Sequence, residues 1–104
     1  MREDEEERPE TVTKYRRVIV SYDVSSRRRY AGLRVTQYVF GRKVSVRTKE
    51  GLKTYRYEGL IMRPAVDRLG QSVLIMREKD AEDFHTFLTE LRVSHTRQLV
   101  WTEF

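Results

Sequence analysis

Between residues 42 and 57, cations and tyrosines recur at two-residue spacing. Lys43, Ser45 and Arg47 alternate with Val44 and Val46; beyond Lys49-Glu50-Gly51, Lys53, Tyr55 and Tyr57 alternate with Thr54, Arg56 and Glu58. A strand of nucleic acid needs both side-chain types, cations for its phosphates and aromatic faces for its unstacked bases. Period-two alternation marks a strand, and Gly51 accepts the positive φ of a tight hairpin turn. The pattern predicts a hairpin with Lys43, Ser45, Arg47, Lys53, Tyr55 and Tyr57 on one exposed face and Val44 and Val46 turned inward. A merely solvated sheet face is the competing reading. Arg27, Arg28 and Arg29 form a second cationic cluster in a polar break. There they either grip phosphates bidentately or simply keep a loop in water.

Other chemistry finds little support. The chain contains no cysteine, so disulfides, thiolate catalysis and cysteine-held metals are excluded. His85 and His95 do not stand in an H-x-x-x-H or HExxH spacing, and no phosphate-cradling glycine motif or nucleophile elbow is present. Asp23 closes a strand-like run without a carboxylate beside it. The expectation is a protein that is not an enzyme, with no catalytic residues, no metal and no cofactor.

Charge agrees with a polyanion partner. The 104 residues carry a net +5, unevenly spread. Residues 1–13 carry a net −4, residues 14–68 a net +11 and residues 69–104 a net −2. A middle segment that is both basic and strand-like is the electrostatic footprint expected of a nucleic-acid binder. Residues 1–13 read as a disordered acidic tail, either solubilising or competing with nucleic acid for the basic surface. Residues 14–104 read as a single domain. No apolar run reaches membrane-spanning length and the N-terminus does not resemble a secretory signal, so a soluble, cytoplasmic protein is expected. The arginine-rich charge density suits a hot-adapted protein.

The remaining elements supply a scaffold. Residues 17–24 are rich in β-branched residues and predict a strand with Val18, Val20, Tyr22 and Val24 on one face. Residues 33–40 read as a second strand, 52–62 as the return of the hairpin, 65–70 as a loop and 72–76 as a short buried strand. Ala81, Phe84, Phe87, Leu88 and Leu91 recur at helical spacing, predicting a helix over 80–92 with Asp80 as its N-cap. Residues 98–104 read as a last strand or as an apolar docking tail offering Leu99, Val100, Trp101 and Phe104 to a protein partner. The expected fold class is α+β, a curved antiparallel sheet of four to six strands with one main helix near the C-terminus.

Two resemblances accompany this reading. The run Gly41-Arg-Lys-Val-Ser-Val-Arg47, the turn at Gly51, the tyrosine-bearing strand, Ser72-Val-Leu-Ile75 and the Phe/Leu helix resemble the positive-cofactor-four family of transcriptional single-stranded-DNA binders and, more distantly, the Whirly and Pur-alpha group, over residues 38–92. That resemblance implies a homodimer binding single strands on its sheet. Lys43, Ser45, Arg47, Lys53, Tyr55 and Tyr57 would lie on the binding strands, and Phe84, Leu88 and Leu91 would pack the helix. The run Val18-Ile-Val-Ser-Tyr-Asp-Val24 is also similar to the first strand of the small CRISPR-associated adaptation protein, which has a ferredoxin-like fold. That likeness implies a metal-dependent nuclease using Asp23. It ranks lower because six residues between the two expected strands cannot hold that family's first helix.

Overall fold

The computed structural model describes residues 14–104; the expected acidic tail lies outside them. The elements are β1 (Tyr15–Asp23), α1 (Arg29–Phe40), β2 (Gly41–Thr48), β3 (Gly51–Glu58), a 3-10 turn (Leu60–Met62), β4 (Asp67–Gly70), β5 (Val73–Met76), α2 (Glu78–Glu90) and β6 (Ser94–Thr102). The class is α+β with antiparallel pairing throughout, but the strands divide into two sheets. Four form a sheet in the order β4-β5-β1-β6, while β2 and β3 pair only with each other. Among the described residues there are two helices, the expected one near the C-terminus, α2, and α1 before it.

The connections interleave. From β1 the chain passes through α1 and the β2–β3 hairpin to β4, skipping the place that β5 fills. From β5 it passes through α2 to β6, skipping β1. Two interlocked split βαβ units of this kind form the ferredoxin-like arrangement, here with a hairpin inserted between α1 and β4. Val18 and Val20 stand opposite Met76 and Leu74 on one sheet face. Against that face pack Ala31, Val35 and Val39 of α1 and Ala81, Phe84 and Leu88 of α2, with Leu60 of the 3-10 turn. Each fully buried side chain such as Phe84 or Leu88 contributes about 1.5–3 kcal/mol.

Four expectations are corrected. Residues 33–40 are helix, so the reason for setting the second resemblance below the first falls away: a helix does occupy the segment after β1. Ala31, Val35 and Val39 recur every fourth residue and form the buried stripe. Residues 67–70 are strand, short and bulged at the sheet edge. The return strand stops at Glu58, after which Leu60 turns into the core. Nor is Asp80 the cap of α2: Arg77 holds that position, and Asp80 sits within the first turn. Of the two readings of residues 98–104, the strand holds through Thr102: β6 pairs with β1 from Ser94 to Thr102. No helix among the described residues is long and apolar enough to cross a membrane.

Candidate nucleic-acid interface

The β2–β3 hairpin is an arm standing off the body. Every residue of β3 is exposed, and Val46, expected inward, is exposed as well. A two-stranded ribbon has no core of its own and is marginal alone, so the root must hold it. Gly41 takes φ +86°, and a Cβ there would strike the Tyr57 carbonyl oxygen and lie 2.8 Å from the Gly59 nitrogen. A Cβ on Gly59 would strike the Val39 carbonyl oxygen. The two glycines let the outgoing and returning backbones meet where α1 ends. At the tip, Gly51 has φ +118° and the Thr48 hydroxyl donates to the Gly51 carbonyl at 2.7 Å.

The ladder fixes which side chains share a face, and it divides the expected set. Arg42 stands opposite Tyr57, Lys43 opposite Arg56, Val44 opposite Tyr55, Ser45 opposite Thr54, Val46 opposite Lys53 and Arg47 opposite Leu52. Directly opposed residues lie on the same face. One face therefore carries Lys43, Ser45 and Arg47 with Arg56, Thr54 and Leu52. The other carries Lys53, Tyr55 and Tyr57 with Arg42, Val44 and Val46. The single face uniting Lys43, Ser45 and Arg47 with Lys53, Tyr55 and Tyr57 does not exist. In its place are a cationic face and an aromatic face that has cations of its own. On the aromatic face Arg42 lies over the Tyr57 ring at 5.3 Å. On the cationic face the Ser45 and Thr54 hydroxyls meet at 3.3 Å.

The arm holds Arg42, Lys43, Arg47, Lys49, Lys53 and Arg56 against Glu50 and Glu58, a net of +4. None of the six has a carboxylate within salt-bridge distance among the described residues. Lys43 and Arg56 are like charges directly opposed, which destabilises a hairpin by some tenths of a kcal/mol and up to about 1 kcal/mol. The arm is thus an array of mutually repelling cations with no carboxylate partner among the described residues.

The second cluster is also divided. Arg28 donates through one guanidinium nitrogen to the Arg92 carbonyl at 2.7 Å and through the other to the Leu91 carbonyl. It satisfies the carbonyls that end α2 and is committed to the fold. Arg27 and Arg29 remain exposed.

At the arm root lies a recess that sequence reasoning missed. It measures about 530 Å³ and is walled by Tyr30, Arg34 and Gln37 of α1, Arg42 and Tyr57 of the arm, and Phe87 of α2, among others. The Arg34 guanidinium lies 5.7 Å from the Tyr30 ring and 5.6 Å from the Phe87 ring, and donates to the Tyr30 hydroxyl at 3.0 Å. Beneath it, Tyr38 stacks on Phe87 at 4.1 Å and on Phe84 at 5.4 Å. Burial raises the Tyr38 phenol above its ordinary value, with Arg63 opposing. The clue in the sequence was the spacing of Tyr30, Arg34, Gln37 and Tyr38, which shares a surface only once 29–40 is read as helix.

Asp23 is exposed at the end of β1, beside a polar recess of about 500 Å³ that includes Tyr22, Arg68 and Phe40. Burial raises the Tyr22 phenol, and Arg68 opposes the shift. No three acidic or histidine side chains come together in metal-binding range among the described residues. His85 Nδ1 and His95 Nε2 lie 2.8 Å apart, and His95 Nδ1 lies 2.8 Å from the Val93 carbonyl oxygen. Since the carbonyl can only accept, His95 carries a proton on Nδ1; with His95 neutral, its Nε2 accepts from His85 Nδ1. The pair stitches α2 to β6. Finally, Asp80 is wholly buried and accepts from Arg63 at 3.0 Å and Arg77 at 3.1 Å, and that bond raises the Arg63 pKa.

Compared with models of known families, with curated proteins and with solved structures, the chain matches none.

Proposed function

We propose that the protein binds single-stranded DNA or RNA through the β2–β3 arm, without catalysis and with little sequence discrimination. The observation that carries this reading is the aromatic face of the arm. Tyr55 and Tyr57 stand exposed between Arg42 and Lys53 and run down to the recess at the root. Stacked bases lie on the tyrosines while Arg42 and Lys53 meet the flanking phosphates. The opposite face, with Lys43, Arg47 and Arg56, draws the polyanion in and contributes affinity that fades with salt. Arg27 and Arg29 extend the positive field, and Arg28 serves the fold.

Fluorescence anisotropy with labelled single-stranded and duplex oligonucleotides at two salt concentrations tests this. Single strands should bind more tightly than duplexes, with affinity falling steeply with salt. Absence of binding to every oligonucleotide at low salt overturns the proposal. Tighter binding to the duplex would instead favour insertion of the ribbon, cationic on both faces, into a major groove, which accepts a two-stranded ribbon.

A reading from another class rests on β6. Its outer edge is unpaired among the described residues, and it exposes Leu99, Trp101 (60 % exposed) and, just beyond its end, Phe104. A long edge strand with apolar side chains suits strand addition by a protein partner, including a second copy of this chain in a homodimer. Trp101→Ala with Phe104→Ala should then abolish association in sedimentation experiments while leaving oligonucleotide affinity unchanged.

A further inference from the structure

We infer that the recess at the arm root is a nucleotide site that takes one unstacked base, with Arg34 and Arg42 directed at the phosphates on either side. The inference rests on the proposed function and specifies where a base is gripped rather than merely covered. Three elements converge there: α1 brings Tyr30, Arg34 and Gln37, the arm brings Arg42 and Tyr57, and α2 brings Phe87.

The chemistry of the walls selects the ligand. Two arginines lie over aromatic rings at the recess, Arg34 over Tyr30 and Phe87, and Arg42 over Tyr57. Each such pair presents a flat, polarisable surface with a positive charge, the surface on which bases stack in single-strand recognition. Tyr30 is 66 % exposed and Tyr57 52 % exposed, so ring area stands ready to be covered. A purely apolar ligand would strand two guanidiniums that have no carboxylate within salt-bridge distance among the described residues. An inorganic anion would leave the rings bare. A planar group carrying a phosphate satisfies both, and about 530 Å³ lies within the range of small-molecule sites. The Gln37 amide supplies one donor and one acceptor for a base edge. The platform is rigid, because Phe87 is backed by Tyr38 and Tyr38 by the fully buried Phe84.

The same chemistry is offered by a nucleotide within a strand and by a free nucleotide, and the test separates them. The full chain and its Tyr30→Ala variant are titrated with a twelve-residue oligothymidylate, with an abasic backbone of the same length and charge, and with free thymidine monophosphate. Tyr30 lies on α1, so its removal leaves the arm cations in place. The variant should bind oligothymidylate more weakly by about 5–150-fold, the range for losing one stacked base, while abasic-backbone affinity stays the same. An equal loss on both polymers in the variant, or no loss on either, overturns the base site and leaves the arm reading intact; equal affinity of the wild-type chain for the two polymers overturns stacking at the recess and on the arm alike. Failure of both polymers to bind while the monophosphate perturbs the Tyr30 and Phe87 ring resonances would overturn the arm reading and keep the recess as a site for free nucleotides. Failure of all three to bind overturns both.

Discussion

Replacing Lys43, Arg47 and Arg56 together by glutamine removes the cationic face of the arm and leaves the aromatic face untouched, because the ladder places all three on the other face from Tyr55 and Tyr57. The magnitude follows from counterion release. If each of the six arm cations neutralises one phosphate, log affinity falls against log salt with a slope of about −4 for a single strand, at roughly 0.7 per contact. Between 50 and 200 mM salt that slope costs about 300-fold in affinity. The triple variant keeps three contacts, so its slope is about −2 and its loss over the same interval about 20-fold. Folding should not suffer, because the three side chains are exposed and the opposed Lys43–Arg56 pair is relieved. The assay is anisotropy with a labelled single-stranded oligonucleotide at four or more salt concentrations, with circular dichroism as the check on folding. A variant slope indistinguishable from that of the parent chain, or a parent slope shallower than about −1, refutes the assignment of the arm cations to phosphates.

Asp80→Ala removes the buried acceptor of Arg63 and Arg77; both guanidiniums are partly exposed and can turn to water, so the unfolding free energy in urea should fall by about 1–3 kcal/mol. Arg28→Ala frees the carbonyls of Leu91 and Arg92, and should cost about 1 kcal/mol of stability with oligonucleotide affinity unchanged; an affinity loss with no stability loss would return Arg28 to the binding surface. The phenols of Tyr22 and Tyr38 have folded-state values raised by burial above the ordinary value of about 10. The stability linked to them is therefore whole below about pH 10 and is lost as pH rises through the raised values. Urea midpoints of the parent chain should fall above about pH 10, and the Tyr22→Phe, Tyr38→Phe double variant should flatten that fall.

Much of the scaffold was legible in the residues. The β-branched run of β1, the apolar stripe of α2 and the Gly51 turn each carry a strong local signal, and each forms as expected. α1 did not declare itself because two periods coincide along it: Ala31, Val35 and Val39 lie on one face of a helix and equally on one face of a strand. Leu33 and Gln37, which share that strand face, are the discriminators. Leu33 is exposed and Gln37 is polar, which suits a helix. β4 was unreadable because Asp67-Arg-Leu-Gly70 has no alternation; its pairing with β5 alone makes it a strand. The division of the binding set turned on the length of the turn: a three-residue turn over Lys49-Glu50-Gly51 would have paired Thr48 with Leu52 and united the expected face. With a two-residue turn at Lys49 and Glu50, Thr48 pairs with Gly51, and each odd position of β2 then faces an even position of β3. That register puts Lys43 and Tyr55 on opposite faces. The recess was out of reach because it needs α1, α2 and the arm in place at once.

The meeting of Gly41 and Gly59 gives the arm a single point of attachment. The chain leaves the body and re-enters it at nearly the same spot, so the ribbon behaves as a cassette rather than a structural strut. Bridging residues 41 and 59 with a short loop should leave the order β4-β5-β1-β6 and both helices intact. The same doorway should accept ribbons of other lengths and charges, so that the arm can change while the body that carries it stays the same.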